Sequence, residues 1–215
     1  MARNIFLFYK VFLNWCSDYR LILTFTRRSM KHIAIISSSV RDGRLSHRVA
    51  LFLEQFIPAN YPLTVEVLDL KEYNFPLFNE RFAFQKNPSS ELVDFTERFK
   101  KADGLIIVSP VYNADFPAAL KNVIDLYYKE WVHKPVGVVS VTSGMTPGIA
   151  TVQRIQTLLL KLGAFVAPVV YSVVNAAKEF EEPGIPVNKE QSEKLAKPMI
   201  NELIGLIGKD EERPS

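Results

Sequence analysis

The stretch Leu105-Ile106-Ile107-Val108-Ser109-Pro110-Val111-Tyr112-Asn113-Ala114-Asp115-Phe116-Pro117-Ala118-Ala119-Leu120-Lys121-Asn122 decides the fold. A short apolar run ends in a hydroxyl and a proline, an aromatic–amide pair follows, and an amphipathic helix begins after Pro117. That order reads as a buried strand feeding a helix. In a parallel α/β sheet, the carboxyl end of such a strand is where ligands bind.

Working outward, short β-branched runs alternate with helical periodicity from Met30 onward. The strands expected are 32–36, 63–68, 104–108, 136–141 and 165–171. The helices expected are roughly 45–56, 90–100, 118–129, 149–162 and 189–206, with Gly163 as a helix stop. Several strands are apolar almost throughout, as strands covered on both faces are. Five strands alternating with five helices predict an α/β three-layer sandwich with right-handed crossovers. The segment 72–88 reads as a long loop rich in aromatics (Tyr73, Phe75, Phe78, Phe82, Phe84), either functional, sealing a sheet edge or lending rings to a dimer interface.

The 215 residues suffice for one domain with a full core. The net charge of +3 is concentrated near the start, where Arg3, Lys10, Arg20, Arg27 and Arg28 face only Asp18. Removing residues 1–29 leaves 21 basic against 22 acidic residues, no basis for nucleic-acid binding. The single cysteine, Cys16, also lies there, so the remainder has no disulfide, thiolate metal site or cysteine nucleophile. His32, His47 and His133 have no metal-ligand spacing, and no metal is expected. Residues 1–29 read as an N-terminal extension, from an over-extended start before Met30 or from an Arg-rich leader. A transit peptide and an interfacial helix are the alternatives, and no apolar run there is long enough to span a bilayer. The folded domain expected is 30–215.

Three loops carry the chemistry. The first, Ser37 to Ser46, joins strand one to helix one. It would offer a phosphate free backbone N–H groups, the positive end of a helix, serine hydroxyls and the charge of Arg41 or Arg44. It contains neither G-x-G-x-x-G nor G-x-x-x-x-G-K-[ST], which disfavours a dinucleotide-binding Rossmann site and excludes a P-loop. Its serines argue against the acidic strand end of a receiver domain, while a Ser-rich helix cap remains the plain alternative. The second loop, Pro110 to Asn113, offers a ring and an amide for a flat ligand. The third, Val141 to Gly148, supplies hydroxyls on Thr142 and Ser143 and two glycines that let backbone approach a ligand. In the strand order 2-1-3-4-5 these loops converge on one crevice at the switch point.

Together these residues resemble the NADPH-dependent FMN reductase family of flavodoxin-like proteins, which includes quinone reductases and azoreductases. The resemblance runs from Met30 to about Tyr171. Ser38, Ser39, Val40 and Arg41 resemble the family's G-S-x-R loop, with Gly43-Arg44 continuing it. Pro110 to Asn113 and Pro117 to Asp125 resemble its P-x-Y-N segment and the helix after it, and residues 128–135 are similar to the quinone reductase branch. Ser38 replaces the usual glycine, Val111 stands where many members carry glutamate, and Met145-Thr146-Pro147 replaces glycines.

The resemblance implies a flavodoxin-like fold and non-covalent FMN, with the phosphate on Ser38, Ser39, Arg41, Arg44 and Ser46. The ring would lie on Pro110, Val111, Tyr112 and Asn113 and on Thr142, Ser143, Gly144 and Met145. It also implies NADPH or NADH as hydride donor and a quinone, azo compound or free flavin as acceptor, in ping-pong order at a shared site. No acid–base side chain is named, because the flavin does the chemistry. The expected protein is a cytoplasmic homodimer or homotetramer, with Tyr127, Tyr128 and Trp131 either at an interface or in the core. Asp115 is expected to cap the helix after it, Lys121 and Asp125 to pair at i,i+4, and His133 to sit in a turn. The alternatives are a flavodoxin-like electron carrier, an FMN-dependent redox-sensing binding protein and a scaffold that has lost FMN.

Overall fold

The computed structural model describes residues 30–211, so the expectations for residues 1–29 lie outside the described residues. Strands β1 (Lys31–Ser37), β2 (Leu63–Asp69), β3 (Gly104–Pro110), β4 (Pro135–Val141), β5 (Phe165–Val166) and β6 (Tyr171–Val173) form one parallel sheet. Its order is β2-β1-β3-β4-β5, with β6 also paired to β4. This is the doubly wound order expected, and it sets β1, β3 and β4 side by side. β3 and β4 are buried at every position, which explains their unbroken apolar runs.

Helices α1 (Leu45–Asn60), α2 (Leu70–Tyr73), α3 (Ser90–Lys101), α4 (Ala118–Leu126), α5 (Ile149–Lys161), α6 (Ala176–Glu179) and α7 (Lys189–Glu211) complete the fold. The alternation of side chains along each strand divides the core in two. Ile33 and Ile35 of β1 and Ile106 and Val108 of β3 pack with α1 and α7. Ala34, Ile36, Leu105 and Ile107 face the other way, onto α3, α4 and α5. Each fully buried Ile, Leu or Val among them contributes about 1.5–3 kcal/mol through burial.

The structure departs from expectation in ways that have local causes. The fifth strand is not continuous over 165–171: Phe165–Val166 pairs with Pro135–Val136, and Tyr171–Val173 pairs with Val139–Val141. Five steps of chain thus oppose three, and the excess bulges out around Pro168, which has no N–H to give the ladder. α1 continues past Phe56 with Pro58 inside its last turn, where the missing N–H costs only one bond. α4 stops at Leu126, and a separate 3-10 turn covers Lys129–Trp131. Strands β7 (Phe180–Glu181) and β8 (Ile185–Pro186) form a small antiparallel pair against α1 that the sequence pattern did not announce. Gly163 ends α5 at φ +81°, as expected of a helix stop.

The loop 72–88 divides by residue. Tyr73 and Phe75 pack on Phe95, and Phe82 packs against Tyr127, sealing the edge over α3. Leu77, Phe78 and Phe84 remain exposed. Tyr127 and Trp131 are core residues of this chain, the first stacked on Phe99 and the second edge-on to it, so only Tyr128 of that aromatic trio is exposed. Among the described residues no helix is long and apolar enough to cross a membrane.

Candidate functional site

Strand β1 delivers Ser37, Ser38 and Ser39 to the sheet edge, where the chain turns through Gly43 at φ +62° and enters α1. The start of α1 is bare. Arg44, its N-cap, makes no capping bond with its side chain, and the first turn holds no acidic residue. Ser46 is buried, and its Oγ has no hydrogen-bond partner in the protein. Buried hydroxyls are normally satisfied, so an orphan beside free helix N–H groups marks a place for an acceptor. The combination suits an anion such as a phosphate monoester.

Loop two leaves β3 and closes into a tight hairpin. Tyr112 and Asp115 exchange backbone bonds of 2.8 and 2.9 Å, with Asn113 and Ala114 both at positive φ between them. Positive φ at both central residues defines a type I′ turn, which Asn favours and Ala tolerates at a cost of roughly 1–2 kcal/mol. Asp115 therefore does not cap α4; Pro117 occupies that position. Its carboxylate instead accepts the Phe116 N–H at 2.8 Å and pairs with Arg154 of α5 at 2.6 Å. Loop three is tied to itself: Thr142 Oγ1 donates to the Gly144 carbonyl at 2.9 Å, which also accepts the Asn175 N–H.

The three loops enclose a cleft of about 290 Å³. Of the thirteen residues expected there, Ser39, Arg41, Arg44, Ser46, Pro110, Val111, Tyr112, Thr142 and Ser143 line it. Tyr112 bridges two loops: its hydroxyl lies 2.7 Å from Ser39 Oγ, and the Arg41 guanidinium stands over its ring at 5.5 Å. Arg41 is exposed and has no ion-pair partner among the described residues.

Four expected residues fall elsewhere. Ser38 is fully buried and donates its hydroxyl to the Val108 carbonyl at 2.9 Å, securing loop one to β3 rather than facing the cleft. Asn113 sits at the exposed hairpin tip because its positive φ is needed there, and Gly144 and Met145 project from the exposed part of loop three. Arg44 lines the cleft but spends its guanidinium elsewhere: it makes a bidentate pair with Asp69 and donates to the Ser39 carbonyl at 2.8 Å. Asp69 itself escaped the sequence reading. It ends β2, opposite Ser37 in the register, and is only 4% exposed.

His47 is a neighbour of this pair. Its Nδ1 lies 3.0 Å from Ser37 Oγ and 3.6 Å from Asp69 Oδ2. Burial, with the charge of Arg44 beside it, holds its pKa below the ordinary histidine value. Both contacts use the same ring nitrogen, so Ser37, His47 and Asp69 do not form a relay of the nucleophilic type. Among the described residues the only carboxylate lining the cleft, Asp42, is paired with Lys71. Lys121 and Asp125 pair at 2.6 Å, and His133 occupies a turn at φ +63° against Phe165. No group of His, Cys, Asp and Glu among the described residues is placed to hold a metal.

The profile of the NADPH-dependent FMN reductase family matches residues 30–179, which contain all three loops. A quinone reductase of Pseudomonas putida is 29% identical over 160 residues, covering 71% of this chain and 82% of the relative. An NADPH azoreductase of a Bacillus species is 27% identical over 177 residues, covering 81% and 89%. Among solved structures, the flavoenzyme NAD(P)H:(acceptor) oxidoreductase FerB of Paracoccus denitrificans superposes with a TM-score of 0.68 at 20% identity, over 84% of this chain and 98% of that one. That likeness supports the fold, and the family match spans more than half of the sequence: the chain belongs to the NADPH-dependent FMN reductase family.

Proposed function

We propose that this protein is an FMN-dependent NAD(P)H oxidoreductase whose acceptor is a quinone, an azo compound or free flavin. The observation that carries the reading is the bare start of α1, with the orphan Ser46 Oγ opening onto the same cleft as loops two and three. Ser39, Ser46, Arg41 and the N–H groups of the first turn would hold the phosphate, because each is a donor without a competing acid. Pro110, Val111 and Tyr112 on one side, with Thr142 and Ser143 on the other, would orient the ring. FMN held there would supply the hydride-transfer chemistry between NAD(P)H and the acceptor.

The side chains have binding and orienting roles, and none is proposed as a general acid or base. Asp42 is engaged by Lys71, and the other polar groups at the cleft are hydroxyls and arginines. The folded domain in this reading starts at Met30. We place the enzyme in the cytoplasm as a homodimer or homotetramer.

The test is steady-state kinetics of the FMN-loaded protein, varying NADPH and then NADH at several fixed concentrations of a benzoquinone. Parallel double-reciprocal lines are expected, since donor and acceptor take turns at one site. NAD(P)H oxidation no faster than that of free FMN would reject the enzyme reading and favour an electron carrier or redox-sensing binder.

A further inference from the structure

Loop one holds two arginines, and the structure treats them differently. Arg41 is exposed, and among the described residues its guanidinium meets only the face of Tyr112. Arg44 is 13% exposed at its side chain and locked in a bidentate pair with the buried Asp69. A guanidinium and a carboxylate in contact present a dipole, whose field falls off faster than that of a lone charge. Arg44 lines the cleft, yet its charge is cancelled before it reaches a ligand there. Asp69 is fixed independently, because its Oδ1 also accepts the Lys71 N–H at 3.0 Å and caps α2.

The geometry points to Asp69 as the residue that sets how tightly the cleft holds a phosphate monoester. It masks the second arginine of the loop and leaves Arg41, Ser46 and the helix start as the effective anion donors. The Ser39 carbonyl accepts from the same guanidinium, so the pair also fixes the course of loop one around the phosphate position. Asp69 acts through Arg44 and is a positioning residue. The inference rests on the FMN reading for the identity of the phosphate bearer.

The test uses three full-length variants, Asp69→Asn, Arg44→Gln and the double change. Each is stripped of flavin and titrated with FMN and with riboflavin, following quenching of flavin fluorescence. Riboflavin lacks the phosphate, so the ratio of the two affinities separates an effect at the phosphate from general loosening. Asp69→Asn keeps an oxygen for Lys71 and unmasks Arg44; FMN should bind about tenfold tighter, with riboflavin changed less than about twofold. Arg44→Gln leaves the buried Asp69 carboxylate without its counter-charge behind the cleft, and FMN should lose about tenfold or more. The double variant replaces a masked pair with a neutral one, and its FMN affinity should stay within about threefold of the parent.

If Arg44 were itself a phosphate ligand, the double variant would fall as far as Arg44→Gln, which would overturn the inference. So would FMN affinity unchanged or weakened in Asp69→Asn. Should either single variant fail to fold, the double variant, which strands no charge, decides alone. A parent protein that takes up neither flavin would refute the flavin reading together with this inference. FMN bound alike by all four proteins would refute this inference only.

Discussion

Gly148 is where loop two and loop three press against each other, and replacing it with alanine tests that geometry. Its φ is −76°, so backbone strain does not forbid a side chain. Space does: a Cβ would stand 2.3 Å from Val111 Cγ2, with Ser140 Cβ at 3.4 Å on the other side. Val111 is β-branched and turns only about χ1, so either its rotamer or loop two must give way. Such overpacking costs about 1–3 kcal/mol. The lower entropy of the unfolded alanine chain returns about 0.4–1 kcal/mol. The net destabilisation is at most about 2.6 kcal/mol and centred on about 1.3 kcal/mol, a central fall in Tm of about 3–5 °C for a domain of this size. Because Val111 lines the cleft, its displacement should also weaken FMN binding. The assay is a thermal melt with and without FMN, run beside Gly148→Ala/Val111→Ala, in which the clashing methyl is gone. The double variant should recover most of the loss. A Tm for Gly148→Ala at or above that of the parent would refute the packing argument.

Other consequences follow from particular contacts. Thr96 Oγ1 donates to the Leu92 carbonyl at 2.6 Å and accepts from Tyr127 Oη at 2.8 Å. Thr96→Val strands that buried phenol and should cost about 1–3 kcal/mol in urea unfolding. His47, held below its ordinary pKa by burial, is protonated more readily in the unfolded chain. Its contribution is therefore greatest above about pH 6.5 and drains as pH falls from there toward the folded-state value. His47→Asn should flatten the stability–pH curve just below pH 6.5, and an unchanged slope would count against this. The Arg154–Asp115 pair is exposed at both ends, so Arg154→Met should change stability by less than about 1 kcal/mol. Its effect should be seen as faster proteolysis of the 112–115 hairpin.

The parts legible in the sequence were those set by local pattern. The apolar runs of β3 and β4 gave away their burial on both faces, and the strand-to-helix junctions at Ser37–Ser46, Pro110–Pro117 and Thr142–Gly148 marked one edge of the sheet. Features set by pairing at a distance were hidden. Asp69 meets Arg44, 25 residues away, only because the register of β1 and β2 puts it opposite Ser37. Nothing at either position alone distinguishes a masked arginine from a free one. Ser38 looked like its neighbours, yet strand alternation sends its hydroxyl inward to Val108. Asp115 fitted a helix cap by spacing, but the I′ hairpin intervenes and hands its carboxylate to α5. The aromatic trio Tyr127, Tyr128 and Trp131 was open to two readings because burial depends on the partner surface, here Phe99 of α3.

The central claim is that these three loops hold FMN for hydride transfer, and the visible absorbance spectrum tests it most directly. Protein spanning residues 30–215 would be mixed with FMN, freed of excess and reduced with NADPH under exclusion of oxygen. The account predicts a retained yellow chromophore that bleaches with NADPH and returns on adding a quinone. A protein that emerges colourless from the FMN incubation would contradict it.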